Sequence, residues 1–241
     1  MMRLDKFLAH AGLGTRKEVK QLIRSKRIKV NGQLVRNDDL KIDETNDIVL
    51  LDDEAVSYEK YIYMMLNKPA GVISATFDEK QATVMDCFDQ YIPMDAFPVG
   101  RLDIDTEGLL LITNDGALAH DLLAPKKHVD KIYYVKVAKA ITQAAIEALE
   151  AGIQINDEEV TCGIIKDAGD DADCTDGILL TIHEGKFHQI KRMMHAVGNE
   201  VVYLKRLQMG SLKLDESLAC GEYRPLSEAE IHALKNREAD L

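Results

Sequence analysis

No apolar run in this chain approaches the roughly 18 to 20 residues that span a bilayer. The longest candidates are as short as residues 109–112 (LLLI). Such runs are closed by turn-forming clusters, as residues 108–113 are by Asn114-Asp115-Gly116. A chain punctuated in this way can bury short strands and helices in a globular core, and little else. At 241 residues it is long enough for one large domain or a small domain joined to a larger one. Arg3 and Lys6 are followed by no apolar stretch and no cleavage site, which argues against a secretory signal. A cytoplasmic protein without a membrane partner is expected.

The formal net charge of −11 taken alone disfavours a polyanion-binding protein. Its distribution argues the other way. Residues 1–36 hold ten Lys or Arg against two acids, a net +8, which leaves −19 for the rest of the chain. A basic head on an acidic body suits one face that meets phosphates and a remainder that stays soluble.

The head also reads as a folded unit. Thr15-x-x-Glu18 is a capping box. Behind it Val19, Leu22 and Ile23 share one helical stripe, and Lys17, Lys20, Arg24 and Arg27 share another. An earlier stripe of Leu4, Phe7, Leu8 and Ala11 marks a short helix ending near Gly12. Residues 28–35 alternate around Asn31-Gly32, a strong hairpin signal. Residues 48–59, with Asp52-Asp53-Glu54 and little periodicity, suit a linker. The expected organisation is a head over residues 1–47, a linker over 48–59 and a larger domain over 60–241.

From residue 60 strand-like and helix-like stretches alternate. Strands are expected at 61–66 (stopped by Asn67-Lys68-Pro69), 71–76, 108–113, 131–137, 159–166, 177–183 and 201–207. Helical turns are expected at 117–124. A helix over 143–151 has Thr142 as N-cap and Gly152 as its stop, and another over 188–197 is closed by Gly198. Ser227-x-x-Glu230 caps a last helix. Strands outnumber helices and several are joined by short turns, so the class is α+β with a mixed, mainly antiparallel sheet.

Metal chemistry has no foothold in this pattern. Cys87, Cys162, Cys174 and Cys220 are scattered and form no CxxC pair, which suits thiols in a reducing compartment. His183 and His188 are five apart, whereas a zincin needs its two histidines at i and i+4. No metal is expected.

The densest unusual stretch is residues 99–116, a polar loop rich in carboxylates, with Arg101 and two glycines, running into an apolar strand. A carboxylate there is aimed by a buried element and still reachable, as catalytic loops require. The competing reading is a turn whose aspartates cap backbone amides.

Several motifs, in order, resemble one family. Arg3-Leu4-Asp5-Lys6-Phe7-Leu8 and Val30-Asn31-Gly32 resemble the S4-like RNA-binding module. Gly100-Arg101-Leu102-Asp103-x-x-Thr106-x-Gly108-Leu109 resembles the signature of RsuA-type pseudouridine synthases. Leu66-Asn67-Lys68-Pro69-x-Gly71 resembles that family's strand and turn before the active site, and Lys131-Ile132-Tyr133 its KxY motif. Residues 185–194 (GKFHQIKRMM) resemble its third motif, and Leu204-x-Arg206-x-x-x-Gly210 its closing strand. The resemblance spans nearly the whole chain. It implies Asp103 as the nucleophile, Tyr133 as the active-site tyrosine, Lys191 as the basic partner of Asp103, and Leu204 as an apolar residue near the target base. Asp105 is the rival carboxylate, expected instead to hydrogen-bond within its turn. His188 and His195 are expected to be structural or phosphate-facing.

These residue types suit the implied reaction. Converting uridine to pseudouridine breaks an N-glycosidic bond, turns the uracil and rejoins it through carbon five. Nothing is oxidised and nothing leaves, so no cofactor and no metal are expected. A carboxylate serves as nucleophile or base, and an adjacent cation favours its charged form in a desolvated pocket. Tyr133 offers a flat face and a phenol. Arg101 suits holding the displaced backbone or filling the gap left by the flipped base. Arg3, Lys6, Arg16, Lys17, Lys20, Arg24 and Arg27 are the expected RNA-binding cations of the head.

The resemblance implies ribosomal RNA as partner, and within the family the chain looks most like the enzyme that modifies uridine 516 of 16S rRNA, in an assembling small subunit. It stops soon after residues 221–226 (GEYRPL), without the basic tail of some 23S-directed members. A monomer is expected. The alternatives are a 23S rRNA synthase of the RluB or RluE type, and a binding-only ribosome-assembly factor that has lost catalysis. A hydrolase reading lacks an obvious second carboxylate.

Overall fold

In this computed structural model, described over residues 1–90, 92–155, 158–160, 165–167 and 177–236, the chain divides into two units. One comprises Met1–Ile62 with Phe88–Ala96, the other Tyr63–Cys87 with Phe97–Leu241. Cys162 and Cys174, and residues 161–164 of the expected strand 159–166, lie outside the described residues. Cys87 and Cys220 are free thiols.

The first unit contains β1 (Met2–Arg3), α1 (Leu4–His10), α2 (Arg16–Arg24), β2 (Ile28–Val30), β3 (Gln33–Leu34), β4 (Lys41–Ile42), β5 (Val49–Leu51) and β6 (Glu54–Ala55). The capping box forms: Glu18 donates its backbone N–H to the Thr15 hydroxyl at 3.3 Å, and Thr15 donates its own to the Glu18 carboxylate at 2.7 Å. Leu4, Phe7 and Leu8 of α1 and Val19 and Ile23 of α2 are buried against Ile28, Ile42 and Val49. Asn31 and Gly32 both take positive φ, 50° and 78°, as a two-residue hairpin turn demands.

Residues 49–55, expected within a linker, belong to this unit's antiparallel sheet, whose order is β3-β2-β5-β6. The acidic Asp52-Asp53 pair is the turn between β5 and β6, with φ of 50° and 71°. Aspartate tolerates that left-handed conformation better than most residues. Each carboxylate also receives a cation, Asp52 from Arg27 and Asp53 from Lys29. A charge run that reads as solvated linker is thus half of two ion pairs.

The second unit is built on one large sheet. Its elements are β7 (Tyr63–Lys68), β8 (Phe97–Pro98), β9 (Glu107–Thr113), α3 (Gly116–Leu123), β10 (Lys131–Val137), α4 (Gln143–Ala151), β11 (Ile153–Ile155), β12 (Glu158–Val160), β13 (Ile165–Asp167), β14 (Gly177–Ile182), α5 (Gln189–Ala196), β15 (Val201–Met209), β16 (Leu212–Lys213), β17 (Tyr223–Pro225) and α6 (Glu228–Asn236). The sheet runs β13-β14-β10-β15-β9-β7-β17, with β16 beside β15 and β8 beside β9. Every pairing is antiparallel except β15 with β9. The α+β class with a mixed, mainly antiparallel sheet is therefore what forms.

Gly108 makes the parallel contact possible. A Cβ there would lie 2.3 Å from the Arg206 carbonyl oxygen, and its φ is +99°. The caps also act as the sequence indicates. Thr142 accepts from the Ala145 N–H at 3.2 Å at the start of α4, and Ser227 with Glu230 forms a second capping box on α6. Three strand expectations change. The described ends of 159–166 belong to two strands, β12 beside β11 and β13 beside β14. Residues 71–76 form no strand, contributing one bridge between Ile73 and Thr83, because the Ala75 N–H turns back onto the Ile73 carbonyl at 2.9 Å. β7 runs through Asn67 and Lys68 and stops at Pro69, since both polar side chains are buried rather than turned outward.

Candidate active site

The loop between β8 and β9 is held from beneath. Leu102 is buried, and the Ser74 hydroxyl both accepts from its N–H at 3.0 Å and donates to its carbonyl at 2.9 Å. The Gly71 N–H donates to the Ile104 carbonyl at 2.7 Å, and the Thr106 N–H closes a turn onto the Asp103 carbonyl at 3.1 Å. Below that turn the fully buried Lys68 ammonium donates to the carbonyls of Pro69, Asp103 and Thr106, at 3.0, 3.1 and 2.8 Å. Burial pushes the Lys68 ammonium down to about 8. Its three hydrogen bonds use all three of its protons. The Asp103 side chain stands on this pinned turn, one quarter exposed.

The facing wall comes from the sheet and from α5. Tyr133 of β10, Leu204 of β15 and Ile182 of β14 line the same pocket as Arg101 and Asp103. The start of α5 brings two further groups. His188 adopts a left-handed backbone, φ 49°, at the position preceding the helix. Its Nε2 lies 3.6 Å from Asp103 Oδ1, and its ring stacks on Phe187 with centroids 3.8 Å apart. Lys191 Nζ lies 3.6 Å from Asp103 Oδ2.

Asp103, Tyr133, Lys191, Arg101 and Leu204 are thus brought to one pocket. Three details depart from expectation. Lys191 hydrogen-bonds Asp105, at 2.6 and 2.7 Å, rather than Asp103. That bond also answers the expectation for Asp105, whose side chain reaches α5 and not its own turn; the Lys191 ammonium holds its carboxyl below the usual range. His188, expected to be structural or phosphate-facing, is within ion-pair distance of Asp103. His195, at the exposed end of α5, does not line the pocket.

Sequence reasoning assigned no role to Lys68, although it lay inside a quoted motif. A lysine at the end of a strand, one residue beyond its apolar run, is the signal that marks it: an ammonium that stays within the buried strand must find several acceptors. Arg206 gives the same lesson, being buried with its Nε donating to the Leu109 carbonyl at 2.8 Å. Among the described residues no group of three or more His, Cys, Asp or Glu could hold a metal ion. No helix there is long and apolar enough to cross a membrane.

The head cations divide into two groups. Arg3 is paired to Asp5 at 2.9 Å, Lys20 to Asp38 at 3.2 Å, and Arg27 to Asp52. Arg27 also lies past the end of α2, so it does not share the helical stripe. Lys6 and Arg16 border a hollow with Pro93 and Asp95. Lys17 and Arg24 are exposed on α2.

Comparison with known proteins agrees with this architecture. Residues 62–196 match the model of the RNA pseudouridylate synthase family, and residues 2–49 match the S4 domain. An uncharacterized RNA pseudouridine synthase of Bacillus subtilis, YtzG, is 46% identical over 99% of this chain and 100% of its own length. Ribosomal small subunit pseudouridine synthase A of Haemophilus influenzae is 39% identical, over 97% of this chain and 99% of that one. Ribosomal large subunit pseudouridine synthase B of Bacillus subtilis is also 39% identical, over 98% and 96%. A crystal structure of a pseudouridylate synthase superposes with a TM-score of 0.67 at 36% identity, covering 97% of this chain and all of that one. With an S4 match ahead of a synthase match over more than half of its length, and relatives 39 and 46% identical over nearly all of it, this chain is a member of the RNA pseudouridine synthase family.

Proposed function

We propose that this enzyme isomerises a uridine of ribosomal RNA to pseudouridine, with Asp103 as nucleophile and uridine 516 of 16S rRNA as target. The observation that supports the reading is the convergence of Arg101, Asp103, Tyr133, Lys191 and Leu204, from four separate stretches of chain, on one pocket. In the reaction the bond from ribose C1′ to N1 breaks, and a bond from C1′ to C5 forms. The proton on C5 is lost to solvent and N1 gains one.

Each side chain has a part in this. Asp103 attacks while its backbone is held still by Lys68, so its carboxylate needs no reordering at the moment of reaction. Lys191 carries positive charge near that carboxylate, tethered by Asp105. Tyr133 presents its ring to the uracil and its phenol to the proton step. Leu204 packs against the base, and Arg101, exposed at the rim, takes the backbone or the gap left by the flipped nucleotide. The S4 head holds RNA through the exposed cations of α2 and its surroundings. The enzyme acts as a cytoplasmic monomer, on an assembling small subunit.

The equal similarity to a small-subunit and a large-subunit synthase keeps a 23S target as the second reading. Tritium release from RNA labelled at uridine C5 separates them. 16S transcripts, 23S transcripts and partly assembled subunits are offered separately to wild type and Asp103→Asn. Release from the small-subunit substrate alone, abolished by the substitution, is the expected result. Release from 23S alone overturns the target. RNA binding without release from any substrate overturns the enzyme and leaves the binding-only factor.

A further inference from the structure

The Asp103 pocket is too small to hold a polynucleotide. Its free space is about 50 Å³, roughly four water positions, which suits a single small ring. Directly beside it lies a cavity of about 810 Å³ that shares Arg101, Gly185 and Lys186 with it. Phe77 and Leu123 line this second cavity, and both are exposed, Phe77 to 77%. An aromatic ring left in water gains nothing from the core and is available to a planar ligand.

The loop that carries the ring is anchored. Ser74, three residues before Phe77, lines the same cavity and ties its loop to Leu102 by the two hydrogen bonds already described. The Phe77 loop and the Asp103 loop are therefore joined at one clip. Charge on the cavity wall is mixed but favours an anion: Arg101, Lys186 and Lys131, the last with its ammonium on the Val129 and His183 carbonyls, line it with one carboxylate, Glu184, which lies 3.6 Å from Lys186. An apolar, aromatic floor beside cations is the chemistry that takes an unstacked nucleotide, base on the ring and phosphate on the cations.

We infer that this cavity is the subsite for a nucleotide adjacent to the target uridine, with its base stacked on Phe77 and its phosphate between Arg101 and Lys186. The inference rests on the pseudouridine synthase reading and adds to it a specificity-determining contact. Extruding one base breaks its stacking with both neighbours, and a neighbour that finds Phe77 recovers part of that loss.

The test uses the full chain and the rRNA transcript from which wild type releases tritium. KM and kcat are measured for wild type, Phe77→Ala and Phe77→Tyr. Phe77→Ala should raise KM roughly 5- to 150-fold, the range of one base–aromatic stack, with kcat falling far less, and Phe77→Tyr should restore KM. The same RNA made abasic at one neighbour of the target should bind wild type more weakly, yet show no further loss with Phe77→Ala. An unchanged KM, or losses that simply add, overturns the subsite and leaves the synthase reading intact. Absence of tritium release by wild type from every transcript and from every partly assembled subunit overturns both.

Discussion

The ammonium of Lys68 hydrogen-bonds the main-chain oxygen of Asp103 at 3.1 Å, so the residue that places this carboxylate grips its backbone and not its charge. The two side chains reach opposite sides of one turn. Lys68 is buried in the sheet below, and the carboxylate projects into the pocket above.

Replacing Lys68 by Met should therefore act on geometry. Three carbonyls lose their donor, and the turn carrying Asp103 loosens. The single-turnover rate should fall about 100-fold, the cost of a displacement near 1 Å, while RNA affinity stays within about threefold. A filter-binding measurement beside a single-turnover assay checks both. A comparable loss of affinity would mean the turn contributes to binding as well.

Lys68 also predicts a pH dependence. Its ammonium titrates near 8 in the folded protein, below the ordinary lysine value of about 10.4. As pH rises through 8 the neutral amine has two protons for three carbonyls, so activity should fall. Folding stability should move the other way for this group. Between about 8 and 10.4 the unfolded chain binds more protons, so its contribution to stability rises with pH. A pH–rate profile compared with thermal unfolding over the same range tests the divergence, and a rate that merely follows unfolding would refute it.

Asp103 and Asp105 should respond differently to the same substitution. Asp103→Asn removes the proposed nucleophile and should abolish tritium release. Asp105→Asn removes the tether of Lys191 and should leave activity within about tenfold. The lost ion pair should cost at most about 1 kcal/mol, because Asp105 is largely exposed. Equal loss in both variants would make Asp105 part of the chemistry.

On the head, Lys17→Ala with Arg24→Ala should weaken RNA binding and reduce the slope of log affinity against log salt by roughly 1.4 to 1.8. Lys20 and Arg27 are tied to Asp38 and Asp52, so the same substitutions there should change binding less. Titrations at several salt concentrations settle the order, and an unchanged slope in the Lys17 and Arg24 variant would place the RNA on another face.

Gly108→Ala should be among the most damaging single changes in the catalytic unit. The new Cβ would meet the Arg206 carbonyl oxygen at 2.3 Å, which separates β9 from β15 at their one parallel contact. A loss of more than about 3 kcal/mol is expected from such a clash, read as a lowered unfolding midpoint. A midpoint close to wild type would show that β9 and β15 can part without cost.

Much of this protein was legible along the chain. Both capping boxes, the Asn31-Gly32 turn, the Thr142 cap and the strands around 108–113 and 131–137 depend on hydrogen bonds and periodicity within a few residues, so local sequence suffices to specify them. The ordered motifs likewise marked five of the residues that meet at the pocket, Arg101, Asp103, Tyr133, Lys191 and Leu204. What lay outside that reach depends on pairing between distant segments. Asp52 and Asp53 read as linker because Arg27 and Lys29, some 25 positions earlier, were not visibly their partners. Lys191 took Asp105 across 86 positions, a choice between two carboxylates in one loop that rests on where α5 packs. Lys68 became the floor of the candidate active site because the sheet buried it beneath the Asp103 turn, where its charge is satisfied by two of that turn's carbonyls and by the Pro69 carbonyl. Sequence determined the elements and the chemical groups they carry. Tertiary packing decided which charge meets which, because a buried or half-buried charge must find its partner among whatever the fold brings within hydrogen-bond reach.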